Sequence, residues 1–120
     1  MNQLFNLLSP LPLYLALKNS LNGLGLAVKS ERAFQQEAVL MVVGGVAAFL
    51  LTDVRTERAL LIGSLAIVLI VELVNSAIEA VVDRIGTEIN PLSKRAKDLG
   101  SAAVLLSLVT AGVIWVIILV

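Results

Sequence analysis

The chain has 120 residues, of which 58% are hydrophobic and only 15% charged, against about 45–50% and about 25% in an average soluble domain. This length allows one domain and this composition places it in a bilayer, so burial must come from lipid and from partner subunits rather than from a large soluble core. Nine Lys plus Arg balance nine Asp plus Glu, which offers no support for a nucleic-acid partner; without cysteine or histidine, any general base or hard-metal ligand has to be a carboxylate, a lysine or an amide.

The opening stretch MNQLFNLLSPLPLYL lacks a basic start, an unbroken apolar core and a small-residue cleavage site, so no cleaved leader is expected. Pro10 and Pro12 interrupt it. From there Leu13, Leu17, Leu21, Leu24 and Val28 recur at helical steps, with Lys18, Asn19 and Asn22 off the stripe. That pattern predicts an amphipathic helix over residues 13–30, lying in the membrane interface, or else packing on a partner. Three membrane spans come next, over residues 34–52, 59–83 and 99–120. The first apolar run, AVLMVVGGVAAFLLT, reaches spanning length only if Phe34 to Glu37 extend it.

The connection TDVRTER is mixed in sign, whereas DRIGTEINPLSKRAKD holds Arg84, Lys94, Arg95 and Lys97. The excess of positive charge assigns this second loop to the cytoplasm, with the N-terminal helix on the same side and the C-terminus outside. The expected architecture is an all-α membrane protein of three transmembrane helices and an interfacial helix, forming a single domain over residues 1–120.

The second span carries Glu72, Asn75, Ser76, Glu79 and Asp83. At 100° per residue these all fall within ~60° of Glu72, so they share one helix face, which climbs roughly 16 Å at ~1.5 Å per residue. An ionised carboxylate near the bilayer centre costs on the order of 2.5–3.5 kcal/mol, so the face must meet water, a cation or a proton-sharing partner. Interhelical hydrogen bonding is the plainer alternative, and Asp83, beside Arg84, could be a solvated ion pair. Mg²⁺ and the basic loop ending in Lys97 are two sources of counter-charge, and both suit a nucleotide phosphate. Glu31, in SERAFQQEA, sits at the same cytoplasmic level as Glu79. The two could clamp a metal-bound polyphosphate, unless Glu31 is simply a helix-start charge after Ser30 as N-cap.

There is no GxxxxGK[ST] loop, which excludes the ordinary nucleotide-binding folds. Gly44 and Gly45 read as helix-packing contacts, and Gly100 to Ala103 as a small-residue patch that another helix can approach. Trp115 reads as an interfacial anchor.

The stretch VELVNSAIEAVVDRIGTE, preceded by ERAFQQE and followed by LSKRAKDLGSAAV, strongly resembles the prokaryotic integral-membrane diacylglycerol kinases over roughly residues 20–118. The resemblance implies a homotrimer with active sites shared between subunits, in the bacterial inner membrane. It implies transfer of the γ-phosphoryl of MgATP to the hydroxyl of diacylglycerol, giving phosphatidate. Position by position, Glu72 matches the catalytic base. Glu31 and Glu79 match carboxylates that hold Mg²⁺ and the nucleotide phosphates, Asn75 an amide beside them, and Glu88, Lys97 and Asp98 contacts to ATP. Ala33, Phe34, Gln35, Gln36, Glu37, Arg58, Ser101 and Trp115 match positions lining the lipid site. Asn90 stands where relatives commonly have histidine, Ser30 where an Asn is common and Gln35 where an Arg is common. No arginine matches the one usual in the amphipathic helix. Close relatives phosphorylate undecaprenol, which is the alternative substrate. A small cation-coupled transporter is the alternative from another class, but it leaves the basic loop and Glu31 without a role.

Overall fold

A computed structural model describes residues 2–120, Asn2 by its backbone alone, and every element among them is helical. The chain divides into two compact units, Met1–Glu31 and Arg32–Val120. The N-terminal unit holds α1 (Asn2–Leu8) and α2 (Leu11–Ser30). Helix α1 was not anticipated by the apolar stripe, which begins after Pro12. Pro12 is accommodated inside the first turn of α2, where its missing N–H would have had no intrahelical acceptor. The leucine stripe of α2, Leu13, Leu17, Leu21 and Leu24, is solvent-facing. At the other end Ser30 does not serve as an N-cap for the next helix; its hydroxyl donates back to the Leu26 carbonyl at 2.6 Å, and Glu31 closes α2 through its N–H to the Ala27 carbonyl.

The second unit is α3 (Arg32–Leu51), α4 (Arg55–Ile85) and α5 (Pro91–Leu119), each long and apolar enough to cross a membrane. The protein is therefore a multi-pass membrane protein by composition and length. Helix α4 is the middle element, packed by α3 on one side and α5 on the other.

Why these helices meet along their length is visible in the spacing of their shielded residues. On α3 these are Phe34, Glu37, Met41, Gly44 and Ala48; on α4 they are Leu61, Leu65, Val68, Glu72, Asn75, Glu79 and Val82. Both rows alternate steps of three and four, the period of helices packed nearly parallel to one another. The register is antiparallel. Gly44 lies against Leu65, and Glu37 is electrostatically coupled to Glu72, so two turns forward on α3 correspond to two turns back on α4. Of the glycine pair, only Gly44 is in the seam: a Cβ there would collide with the Leu65 side chain and touch the Trp115 ring, whereas Gly45, ~100° around the helix, has open space.

On the α5 side the seam runs through Gly100, Val104, Ser107, Ala111 and Ile114. Leu65, Val68 and Ala111 form its apolar centre, with Met41 and Trp115 against them. Trp115, whose place near the chain end suggested an interfacial anchor, also joins this seam. Its indole N–H donates inward to the Leu61 carbonyl and the Ser64 hydroxyl, both at 3.2 Å.

Candidate active site

The apolar seam of α4 turns polar at Glu72. Glu72 and Asn75 are both buried, at 6% and 8% exposure, and Glu79 is half-buried one turn further on. The Asn75 amide links the levels, its Nδ2 donating to Glu79 Oε1 at 3.3 Å. Asn75 Oδ1 is buried with no donor, as is Glu37 Oε2 on the facing helix. Buried acceptors left unmet are uncommon in folded proteins.

Glu37 is the residue that the resemblance placed only in the lipid lining. The structure brings it to the Glu72 level. The signal was present in its position on the Phe34–Met41–Gly44–Ala48 row.

Beyond Glu79 the seam opens at the α4–α5 turn. Gly86 ends α4, and its bare Cα lets the Glu88 carboxylate fold back against it. Asn90 caps α5: its Oδ1 accepts from the N–H groups of Leu92 (2.8 Å) and Ser93 (3.4 Å), with Pro91 in the first turn. An asparagine cap of this kind stabilises a helix by about 1 kcal/mol, which gives Asn90 a structural task at the position where histidine is common.

Between turn and helix lies a cleft of about 380 Å³, lined by Asp83, Glu88, Asn90, Lys94, Lys97 and Asp98 among others. Its charges are paired across and along the helices. Lys97 Nζ reaches Asp83 Oδ1 of α4 at 2.7 Å and also feels the charge of Glu79, while Lys94 pairs with Asp98. Asp83 therefore pairs with Lys97 rather than with its neighbour Arg84, which points ~100° away around the helix.

The remaining expected site residues are spread along the helices. Ala33 to Glu37 form the first turns of α3, with Phe34 buried and Ala33, Gln35 and Gln36 on the outside. Ser101 is exposed on α5. Trp115 lines an apolar groove of about 370 Å³ with Leu40, Val43, Gly44 and Leu108. Glu31 belongs to the N-terminal unit.

Arg58 is at the other end of the bundle, about 21 Å along α4 from Glu72 at ~1.5 Å per residue. Its guanidinium donates to the carbonyls of Thr52 (2.7 Å) and Phe49 (2.9 Å), pairs with Asp53 at 3.1 Å and lies 4.5 Å over the Phe49 ring. These bonds satisfy carbonyls at the end of α3 that have no intrahelical partner. Thr52 in turn donates to Glu57. Replacing Arg58 with Ala is expected to cost about 1–3 kcal/mol of stability, as for hydrogen bonds from a charged group, and to leave the KM for lipid unchanged. Thermal unfolding in detergent together with lipid-dependent kinetics checks both halves.

The helices and the buried acidic seam define a polytopic membrane protein with a row of carboxylates leading to a cleft of mixed charge. Comparison with known proteins identifies the class further. The family model for prokaryotic diacylglycerol kinase matches residues 18–119, and the chain belongs to that family. It is 51% identical over 100 residues to the diacylglycerol kinase of Escherichia coli K12, covering 83% of this chain and 82% of that protein. It is 52% identical over 100 residues to the diacylglycerol kinase of Pseudomonas aeruginosa, covering 83% and 81%. Against that of Helicobacter pylori J99 the identity is 42% over 103 residues, covering 86% and 80%.

Proposed function

We infer that this chain is a diacylglycerol kinase, transferring the γ-phosphoryl of ATP to the lipid hydroxyl to give phosphatidate and ADP. The observation that carries the reading is the buried row Glu72–Asn75–Glu79 on α4, ending at a cleft with two lysines, in a chain whose relatives are diacylglycerol kinases. Phosphoryl transfer needs positioning and charge neutralisation more than covalent chemistry from the protein.

In this reading Glu72 accepts the proton of the lipid hydroxyl as its oxygen attacks the γ-phosphorus, the bond to the β-phosphate oxygen breaks, and ADP departs. Asn75 and Glu79 hold the nucleotide end, and Lys97, with Glu88 and Asp98 at the cleft, meets its phosphates and nucleoside. Phe34 to Glu37, Ser101 and the apolar groove beside Trp115 take the lipid. Glu79 would be a carboxylate ligand of Mg²⁺, and the resemblance gives Glu31 the same role. Such an ion takes one or two carboxylates and leaves its other positions to phosphate and water. Bound there, Mg²⁺ would neutralise phosphate charge.

The assembly is a homotrimer in the bacterial cytoplasmic membrane, with the N-terminus and the α4–α5 turn in the cytoplasm and α2 at the interface. The exposed leucine stripe of α2 and the basic residues of the turn support this orientation.

Undecaprenol as acceptor is not favoured by the relatives, and the transporter reading has no support from them. The test is transfer from γ-labelled ATP by the purified protein in mixed micelles containing either lipid. Labelled phosphatidate is expected. Label on undecaprenol alone would overturn the substrate, and no label on either lipid would overturn the reaction.

A further inference from the structure

Gly100 is buried on α5 directly against the Asn75 amide of α4. A Cβ at this position would collide with Asn75 Oδ1 and stand 3.4 Å from its Cγ. The amide it faces is itself constrained: Nδ2 is bonded to Glu79, while Oδ1 is buried without a donor. Turning the amide over would set Oδ1 against the Glu79 carboxylate, acceptor facing acceptor. The observed orientation thus depends on room for Oδ1, and that room is the missing side chain of residue 100.

We infer that Gly100 is a positioning residue of the phosphotransfer site: its bare Cα is the surface on which the Asn75 amide rests, with Nδ2 aimed at Glu79. The inference rests on the reading of Asn75 and Glu79 as the residues that hold the nucleotide end. It separates two properties that normally move together. The first atom that a Cβ would displace is the tip of a side chain, not backbone, so the helices can keep their packing while the amide swings away. Alanine is also the better helix former. Stability and activity should therefore part.

The experiment compares the wild type, Gly100→Ala and Asn75→Ala as full-length proteins in the same mixed micelles, by thermal unfolding and by steady-state kinetics in MgATP. Gly100→Ala is expected to unfold at or above the wild-type temperature. Its kcat/KM should nevertheless fall on the order of 10-fold to 100-fold, the scale of a misplaced positioning group, and in step with Asn75→Ala. A stable Gly100→Ala protein with wild-type kinetics, beside an impaired Asn75→Ala, would overturn the inference and leave the site intact. A Gly100→Ala protein whose stability and rate fall together would overturn it as well, showing a packing role only. Wild-type kinetics in Asn75→Ala would overturn the reading of Asn75 on which the inference rests.

Discussion

Glu72→Gln is expected to bind MgATP as the wild type does and to lose turnover by a factor on the order of 10²–10⁴, the usual contribution of a general base. Glutamine keeps the size and the hydrogen-bonding reach of the side chain but cannot accept the proton of the attacking hydroxyl. Two features make Glu72 the candidate. It is the deepest carboxylate of the α4 row, where an apolar substrate's hydroxyl would arrive from the membrane, and it is 6% exposed, so bulk water does not compete for its lone pairs. Steady-state kinetics alongside equilibrium nucleotide binding check the prediction, and a variant within a few-fold of wild-type turnover would remove Glu72 from the role of base.

Glu79→Gln is expected to show the complementary defect. The residue lies two turns from Glu72 toward the charged cleft, bonded to Asn75 and within the field of Lys97. If Glu79 holds Mg²⁺ as proposed, removing its charge takes away an anionic ligand, and it leaves Lys97 with Asp83 as its acidic partner on α4. The KM for MgATP should rise by at least ~10-fold to 100-fold, since even residues that only support a metal ligand cost that much when replaced. Titration with Mg²⁺ at fixed ATP checks it. Unchanged Mg²⁺ dependence would show that Glu79 holds neither ion nor phosphate.

The polar face of α4 was legible in the sequence because carboxylates stand out in an apolar run and a 100° step puts Glu72, Asn75 and Glu79 together. The face of α3 that opposes it was harder to read. Glu37 comes after Gln35 and Gln36 in a polar stretch, and only the three-and-four spacing toward Gly44 and Ala48 distinguishes it from them. The starts of the helices were expected too late in the chain for a related reason. Hydropathy locates the lipid rather than the end of the hydrogen-bonded backbone, so α4 begins at Arg55 and α5 at Pro91, within segments whose charges read as loop. The Asn90–Pro91 pair was the available signal for the second of these, as a cap followed by a first-turn proline.

Pairings between helices could not be read from neighbours in the chain. Asp83 sits beside Arg84 in sequence but beside Lys97 in space, and Trp115 looked like an interface anchor because its hydrogen-bond partners, Leu61 and Ser64, lie on another helix. Such contacts depend on the register of the antiparallel packing, which a single sequence specifies only through small residues such as Gly44 and Gly100.

In the proposed function one row of α4 divides its work by depth, with proton acceptance at Glu72 and nucleotide holding at Glu79. The most direct test measures kcat and the KM for MgATP for Glu72→Gln and Glu79→Gln side by side, in the same diacylglycerol micelles. A split is expected, with kcat lost and KM retained for Glu72→Gln, and KM raised as the larger effect for Glu79→Gln. Loss of the same parameter in both variants would contradict it.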